Sequence, residues 1–166
     1  MTLTITLIGG PTALIEIDGF RLLTDPTFDE PGAYQLPHVK LEKLTGPAMS
    51  VRDVGAIDAV LLSHDQHSDN LDHSGRDFLE QAKRVLTTEA GAKRLGGRTE
   101  GFAPWASTEL KKGGRSLTVT ATPAAARSTS VATPPGSMAS PRSRSDSRQA
   151  WCCRSRARRK PAARSI

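Results

Sequence analysis

Histidine is missing after position 73 and cysteine before position 152. The two cysteines, Cys152 and Cys153, are adjacent, so they are poorly placed to bond each other, and no third exists to build a disulfide framework. Four-thiolate zinc spacing is absent as well. Aromatic side chains make up only 4% of the 166 residues. No apolar run approaches the roughly 18 residues that would span a bilayer, which argues against a membrane helix. No charged-then-apolar leader precedes Leu3, so a cytoplasmic location is the expectation.

Large apolar residues run out toward the end. Among Leu, Ile, Val and Phe, only Val131 and Ile166 occur after Thr122. The same stretch, 123–166, carries nine Arg and one Lys against a single acid, Asp146. The formal charge of +6 therefore belongs to this tail, and residues 1–122 carry about −3. A segment so charged and so poor in apolar side chains cannot offset its ordering entropy by burial, and disorder is expected there. The chain thus divides into a domain over 1–122 and an Arg/Ser/Pro/Ala-rich tail over 123–166.

The domain opens with the alternating run Leu3–Ile8, stopped by Gly9-Gly10-Pro11. Two further strand-like runs, Thr12–Asp18 and Phe20–Thr24, flank an Asp18-Gly19 hairpin signal. Residues 25–50 read as a long loop, punctuated by Pro26, Pro31, Gly32, Pro37, Gly46 and Pro47. Ile57–Leu62 reads as a buried strand. Ser74–Arg84 has helical spacing with Ser74 as its cap, Val85–Thr88 is a short strand, and Glu89–Leu95 a helix ended by Gly96-Gly97. A last strand spans Ser116–Thr122. Helices interleaved with strands after a meander predict a layered α/β domain.

Chemistry concentrates directly after the Ile57–Leu62 strand. The stretch Ser63-His64-Asp65-Gln66-His67-Ser68-Asp69-Asn70-Leu71-Asp72-His73 holds three of the four histidines and three carboxylates. A loop at the end of a buried strand lets side chains converge on a rigidly held point. Imidazole with carboxylate suits zinc, iron or manganese. A polar loop of this composition is also an ordinary surface feature, and the spacing alone leaves both readings open. His73 reads as a solvent-facing residue at a helix entry, His38 as a surface histidine, Asp25 as a strand-end support for the loop, and Trp105 as a packing residue or part of the site mouth.

The motif resembles the metallo-β-lactamase superfamily's His-x-His-x-Asp-His signature, often flanked as Ser-His-x-His-x-Asp-His-Leu-Asp. Ser63-His64 matches its beginning and Asp69-Asn70-Leu71-Asp72 its end. Ile8-Gly9-Gly10-Pro11-Thr12-Ala13-Leu14-Ile15-Glu16 is similar to the family's first hairpin, and Leu22-Leu23-Thr24-Asp25-Pro26 to its Thr-Asp-Pro stretch. Phe102-Ala103-Pro104-Trp105 and Leu117–Pro123 extend the likeness, which points to the lactonase-like and phospholipase-D-like branch. The resemblance implies the N-terminal half of an αββα sandwich and a metal-dependent hydrolase. Such an enzyme activates water for attack on an ester, lactone or phosphodiester of a small-molecule substrate. It implies His64 and His67 as ligands of a first metal, and Asp69 as ligand of a second and as the catalytic residue orienting the water. The cofactor would be one or two Zn2+ ions, with Mn2+ or Fe2+ as substitutes.

This sequence departs from the pattern in three ways. One extra residue lies between the first two histidines, so Asp65 competes with His64 for the first ligand position. Asn70 stands where a second-metal histidine belongs, which weakens a two-metal site. Asp65, Asn70 and Asp72 are accordingly candidate ligands or hydrogen-bonding supports. The later family ligands are missing, because beyond Pro123 the likeness ends. A shifted reading frame in GC-rich DNA accounts for the tail's composition, and the coding sequence downstream of Thr122 tests this. The alternative is a non-catalytic remnant, or a polyanion-binding protein acting through its Arg-rich tail, with only unspecific nucleic-acid binding expected. Half a sandwich would also leave the strands Leu3–Ile8, Ile57–Leu62 and Leu117–Val119 without an opposing layer, favouring self-association.

Overall fold

The computed structural model describes residues 2–35, 40–124 and 148–156. Strands β1 (Leu3–Gly9), β2 (Thr12–Ile17) and β3 (Phe20–Thr24) form the expected antiparallel meander. The β2–β3 turn places Asp18 and Gly19 at φ 48° and 88°, which Asp and Gly tolerate better than most residues. From β3 the sheet becomes parallel. Strand β6 (Ala59–Leu61) pairs with β3, β7 (Val85–Thr88) with β6, and β8 (Thr99–Phe102) with β7. The order across this six-stranded sheet is β1-β2-β3-β6-β7-β8.

Among the described residues three helices accompany it: α1 (Val51–Val54), α2 (His73–Gln81) and α3 (Glu89–Leu95). Ser50 and Asp53 form a reciprocal capping box on α1. Thr88 caps α3 by accepting from the Gly91 N–H, and Gly96 ends that helix as expected. The cap of α2 is Asp72 rather than Ser74, because the Asp72 carboxylate accepts the Gly75 N–H at 2.8 Å. Parallel strands with crossover helices are buried on both faces, which explains the uninterrupted apolar character of 59–62. Val60 and Leu62 pack with Ile8, Leu23, Phe78, Leu79 and Val85 on the helical side. Ala59 and Leu61 pack with Ile17, Phe20, Leu22 and Leu86 on the opposite side.

That opposite side is covered by a second sheet in the order β11-β10-β9, made of β9 (Ser107–Lys112), β10 (Arg115–Ala124) and β11 (Arg148–Arg156). Leu110, Leu117 and Val119 point from it into the shared core. Two expectations need correcting here. The 59–62 and 117–119 strands do have an opposing layer, since all of these apolar residues are buried. Residues 148–156, read from composition as part of a disordered tail, form a strand along β10. Its alternation explains why: Gln149, Trp151 and Cys153 lie opposite Pro123, Ala121 and Val119. Trp151 and Cys153 pack on the inter-sheet core, and the Trp151 ring meets Phe102 edge-on at 5.9 Å.

The third expectation stands for one strand. On β1, Leu3, Ile5 and Leu7 are 53%, 61% and 68% exposed. They lie opposite Ile17, Ile15 and Ala13 and so share the inter-sheet face, where the three-stranded sheet does not cover them. Residues 125–147 and 157–166, with most of the tail's arginines, lie outside the described residues, as does His38. Among the described residues no helix is long and apolar enough to cross a membrane.

Within the stretch read as a long loop, β4 (Gly32–Gln35) and β5 (Lys40–Lys43) pair as a separate hairpin. Its strands are only four residues each, too short for an alternation to stand out among the prolines.

Candidate metal and substrate site

The His/Asp-rich loop leaves β6 where the two sheets and α2 meet. Leu62 donates to the Leu86 carbonyl, and the Ser63 carbonyl accepts from Gln149 N–H at 3.3 Å, so both sheets hold the start of the loop. Asn70 and Leu71 N–H both return to the His67 carbonyl at 3.0 Å, closing a tight turn over the motif's centre.

Asp25 is the hinge of this arrangement. It sits at φ 29° and is buried. Its Oδ1 accepts the Ser63 N–H at 2.6 Å and its Oδ2 accepts the Asn70 side-chain amide at 3.2 Å. Burial pushes its pKa up, and the bonds from Ser63 and Asn70 hold it back. Asn70 also reaches Ser63 Oγ at 3.4 Å, and Ser63 Oγ lies 2.9 Å from His64 Nδ1. A chain of polar contacts therefore runs from Asp25 through Asn70 and Ser63 to the His64 imidazole. Orienting partners of this kind fix ring and tautomer in metal-binding histidines. With Nδ1 engaged by Ser63, His64 would present Nε2 to a metal. The His67 ring stands edge-on to His64, with ring centroids 5.1 Å apart.

The remaining candidates take other roles. Asp65 is buried and grasped by Arg94 through two bonds, Nε at 2.9 Å and Nη2 at 2.5 Å. Burial opposes its ionisation, but the Arg94 bonds outweigh that and hold its pKa below the usual value. Asp65 is thus committed to α3 and does not replace His64 as a ligand. Asp72 is saturated too. Beyond capping α2, its Oδ2 accepts the Asp29 N–H at 2.7 Å and Lys43 Nζ at 3.3 Å. Asn70 is a support. Asp69 is exposed on the loop's outer surface. Among the described residues no three His, Cys, Asp or Glu side chains are gathered so as to hold a metal ion. The structure brings His64 and His67 together and does not add Asp69 to them. A catalytic zinc site needs about three protein donors and a water, so the described residues do not fit a complete metal centre.

His73 is 87% exposed at the entry of α2, as its sequence position suggested. It stacks on Tyr34 and both rings bond Asp29. Asp25 supports the loop, also as read. Trp105 does not pack; it is 68% exposed at φ 68°. Sequence reasoning missed Arg94, Asp29, Tyr34 and Lys43. Lys43 Nζ and Tyr34 tie the β4–β5 hairpin to Asp72 and Asp29, so the hairpin is fixed against the loop.

Between them lies a cavity of about 270 Å³. Its walls are the Gly9-Gly10-Pro11 turn, Thr27, the hairpin side chains Tyr34, Leu41 and Lys43, the 45–47 segment, and Ser68-Asp69 of the motif. The Ala48 N–H bonds the Ile8 carbonyl at 2.8 Å, fixing that segment to the end of β1.

Two sheets face to face with helices on the outer side of the larger one form a fold that this chain shares with solved metal-dependent enzymes. The chain superposes on an isothiocyanate hydrolase from Delia radicum gut bacteria with a TM-score of 0.54 at 22% identity, over 72% of this chain and 46% of that one. It likewise superposes on a metallo hydrolase from Ignicoccus hospitalis (TM-score 0.52, 19% identity, 75% and 49% coverage). A third match is a diiron β-hydroxylase from Streptomyces venezuelae, with a TM-score of 0.58 at 17% identity over 92% of this chain and 27% of the other. In sequence, the chain is 40% identical over 70 residues to uncharacterized proteins of Mycobacterium tuberculosis and Mycobacterium bovis. That stretch is 42% of this chain and 18% of each relative. The chain therefore spans about a fifth of those relatives and just under half of the two hydrolases. No family model matches it.

Proposed function

We propose that the chain carries the metal-facing half of a metal-dependent hydrolase site of the metallo-β-lactamase type, with His64 and His67 as its zinc-binding pair. The carrying observation is the polar chain Asp25–Asn70–Ser63–His64 beside the edge-on His67 ring. Such a relay restrains an imidazole at a cost in loop freedom, which metal binding would repay. Its position at the exit of a parallel strand, on a fold shared with metal-dependent hydrolases, supports the same reading. The reaction proposed is hydrolysis of an ester, lactone or phosphodiester, with Asp69, two positions after His67, as the exposed carboxylate of the same loop.

Two imidazoles make a weak site. Without a third protein donor, affinity falls well below that of a closed zinc site, and turnover by this chain alone is expected to be negligible. Zinc titration against a chromophoric chelator tests the proposal, with His64→Ala and His67→Ala as comparisons. About one equivalent held at micromolar or weaker affinity, and lost in either variant, supports it. Zinc uptake identical in both variants, with folding intact, refutes it.

A further inference from the structure

The cavity beside Ser68-Asp69 has a composition that discriminates among the substrate classes a hydrolase of this type could take. Pro11, Tyr34, Leu41 and Pro47 give it apolar walls, and Gly9-Gly10 contributes backbone without side chains. Among the described residues the one cation lining it is Lys43, whose ammonium is already bonded to the buried Asp72 carboxylate at 3.3 Å and faces the Thr27 carbonyl at 3.5 Å. The two other charged residues lining it, Glu42 and Asp69, are both acidic and both exposed. An anionic group entering here would meet two carboxylates and a lysine already neutralised by a third. An uncharged apolar group would instead bury surface against Leu41 and the proline rings. The volume, about 270 Å³, accommodates on the order of ten carbon-sized atoms at interior packing density. The motif loop lines the cavity through Ser68 and Asp69, so a group seated here lies against that loop.

We propose that this cavity is the subsite for the uncharged apolar portion of a carboxylic ester or lactone, and that it selects against phosphodiesters. The inference rests on the hydrolase reading for the word substrate, but the binding event does not require metal. Specificity is set by the β4–β5 hairpin, with Leu41 at the cavity wall as the length-determining residue. Gly10, on the cavity wall, adopts φ 52°, and among the described residues no heavy atom lies within 4 Å of where its Cβ would be.

The test is direct binding, by calorimetry or ligand-detected NMR, of straight-chain primary amides from butanamide to decanamide, which are uncharged and resist hydrolysis. Affinity should rise roughly fourfold per methylene and level off when the cavity is filled. Alkyl phosphates of matched length should bind at least about tenfold more weakly. Leu41→Trp should flatten the chain-length series, and Leu41→Ala should move its plateau to longer chains; the Ala variant keeps the test open if Trp impairs folding. Ile5→Lys should leave the series unchanged, and loss of binding in that variant would overturn the proposal by placing the ligand on the exposed β1 face. A series without chain-length dependence, or one equally strong for phosphates, would also overturn it. His64→Ala separates the two readings: it should abolish zinc binding and spare amide binding. Failure of the zinc test with an intact amide series removes the metal reading alone, and the reverse result removes the subsite alone.

Discussion

Replacing Asp25 by alanine should cost far more stability than replacing it by asparagine. Asp25 is buried, sits in the left-handed region at φ 29°, and accepts the Ser63 N–H at 2.6 Å and the Asn70 amide at 3.2 Å. Hydrogen bonds to a charged acceptor contribute about 1.5–3 kcal/mol, and their removal leaves a buried N–H without a partner. Alanine pays a further 1–2 kcal/mol or so for left-handed backbone that Asp and Asn tolerate. The sum for Asp25→Ala is about 2.5–5 kcal/mol. Asp25→Asn keeps a carbonyl oxygen for the Ser63 N–H, accepts the backbone and removes a desolvated charge, so it should fall within about 1 kcal/mol of the parent. Equilibrium urea unfolding measures both. If Asp25→Ala unfolds within about 0.5 kcal/mol of the parent at an unchanged m-value, the carboxylate does not hold the loop.

Other consequences follow from the same contacts. Gly75→Ala should destabilise by about 2–4 kcal/mol in the same urea assay, because its Cβ would stand 1.9 Å from the Pro26 carbonyl oxygen and push α2 off the motif loop. Arg94→Ala should cost about 2 kcal/mol by leaving the Asp65 carboxylate buried and uncompensated, the half-exposed arginine reducing the effect below that of a fully buried pair; a double-mutant cycle with Asp65→Asn should recover most of the loss. Burial opposes the ionisation of Asp29, but bonds from Ser74, Tyr34 and His73 outweigh it and hold the pKa well below the carboxylate norm. Its contribution is therefore complete above about pH 4 and fades as pH falls toward the folded value. Asp29→Asn should lose about 1–2 kcal/mol at pH 7, and the gap to the parent should close in acid-unfolding curves below pH 4. The exposed stripe Leu3, Ile5 and Leu7 should make the chain self-associate, and Ile5→Lys should reduce this in sedimentation velocity; a concentration-independent monomer would contradict it.

The larger sheet was legible because its signals are local. Alternation marked β1 to β3, the Asp18-Gly19 pair marked their turn, and an unbroken apolar run marked β6 as a strand buried on both sides. The His-rich loop was legible for the same reason: its residues are neighbours in sequence. What the sequence hid is what distant residues do to them. Asp65 and Asp72 are carboxylates of the same motif as Asp69, yet Arg94 from α3 claims the first, and the α2 N-terminus with Lys43 claims the second. No spacing rule announces an arginine twenty-nine positions away. Strand β11 escaped notice because arginines dominate the segment's average, while its order rests on the inward alternation of Gln149, Trp151 and Cys153. The β4–β5 hairpin was hidden by its brevity, and with it the cavity wall.

The most direct test of the paired imidazoles is anomalous scattering at the zinc edge from crystals soaked in zinc. One partly occupied peak is expected within coordinating distance of both His64 and His67. A peak at Cys152 and Cys153, with both imidazoles bare at saturating zinc, would contradict it.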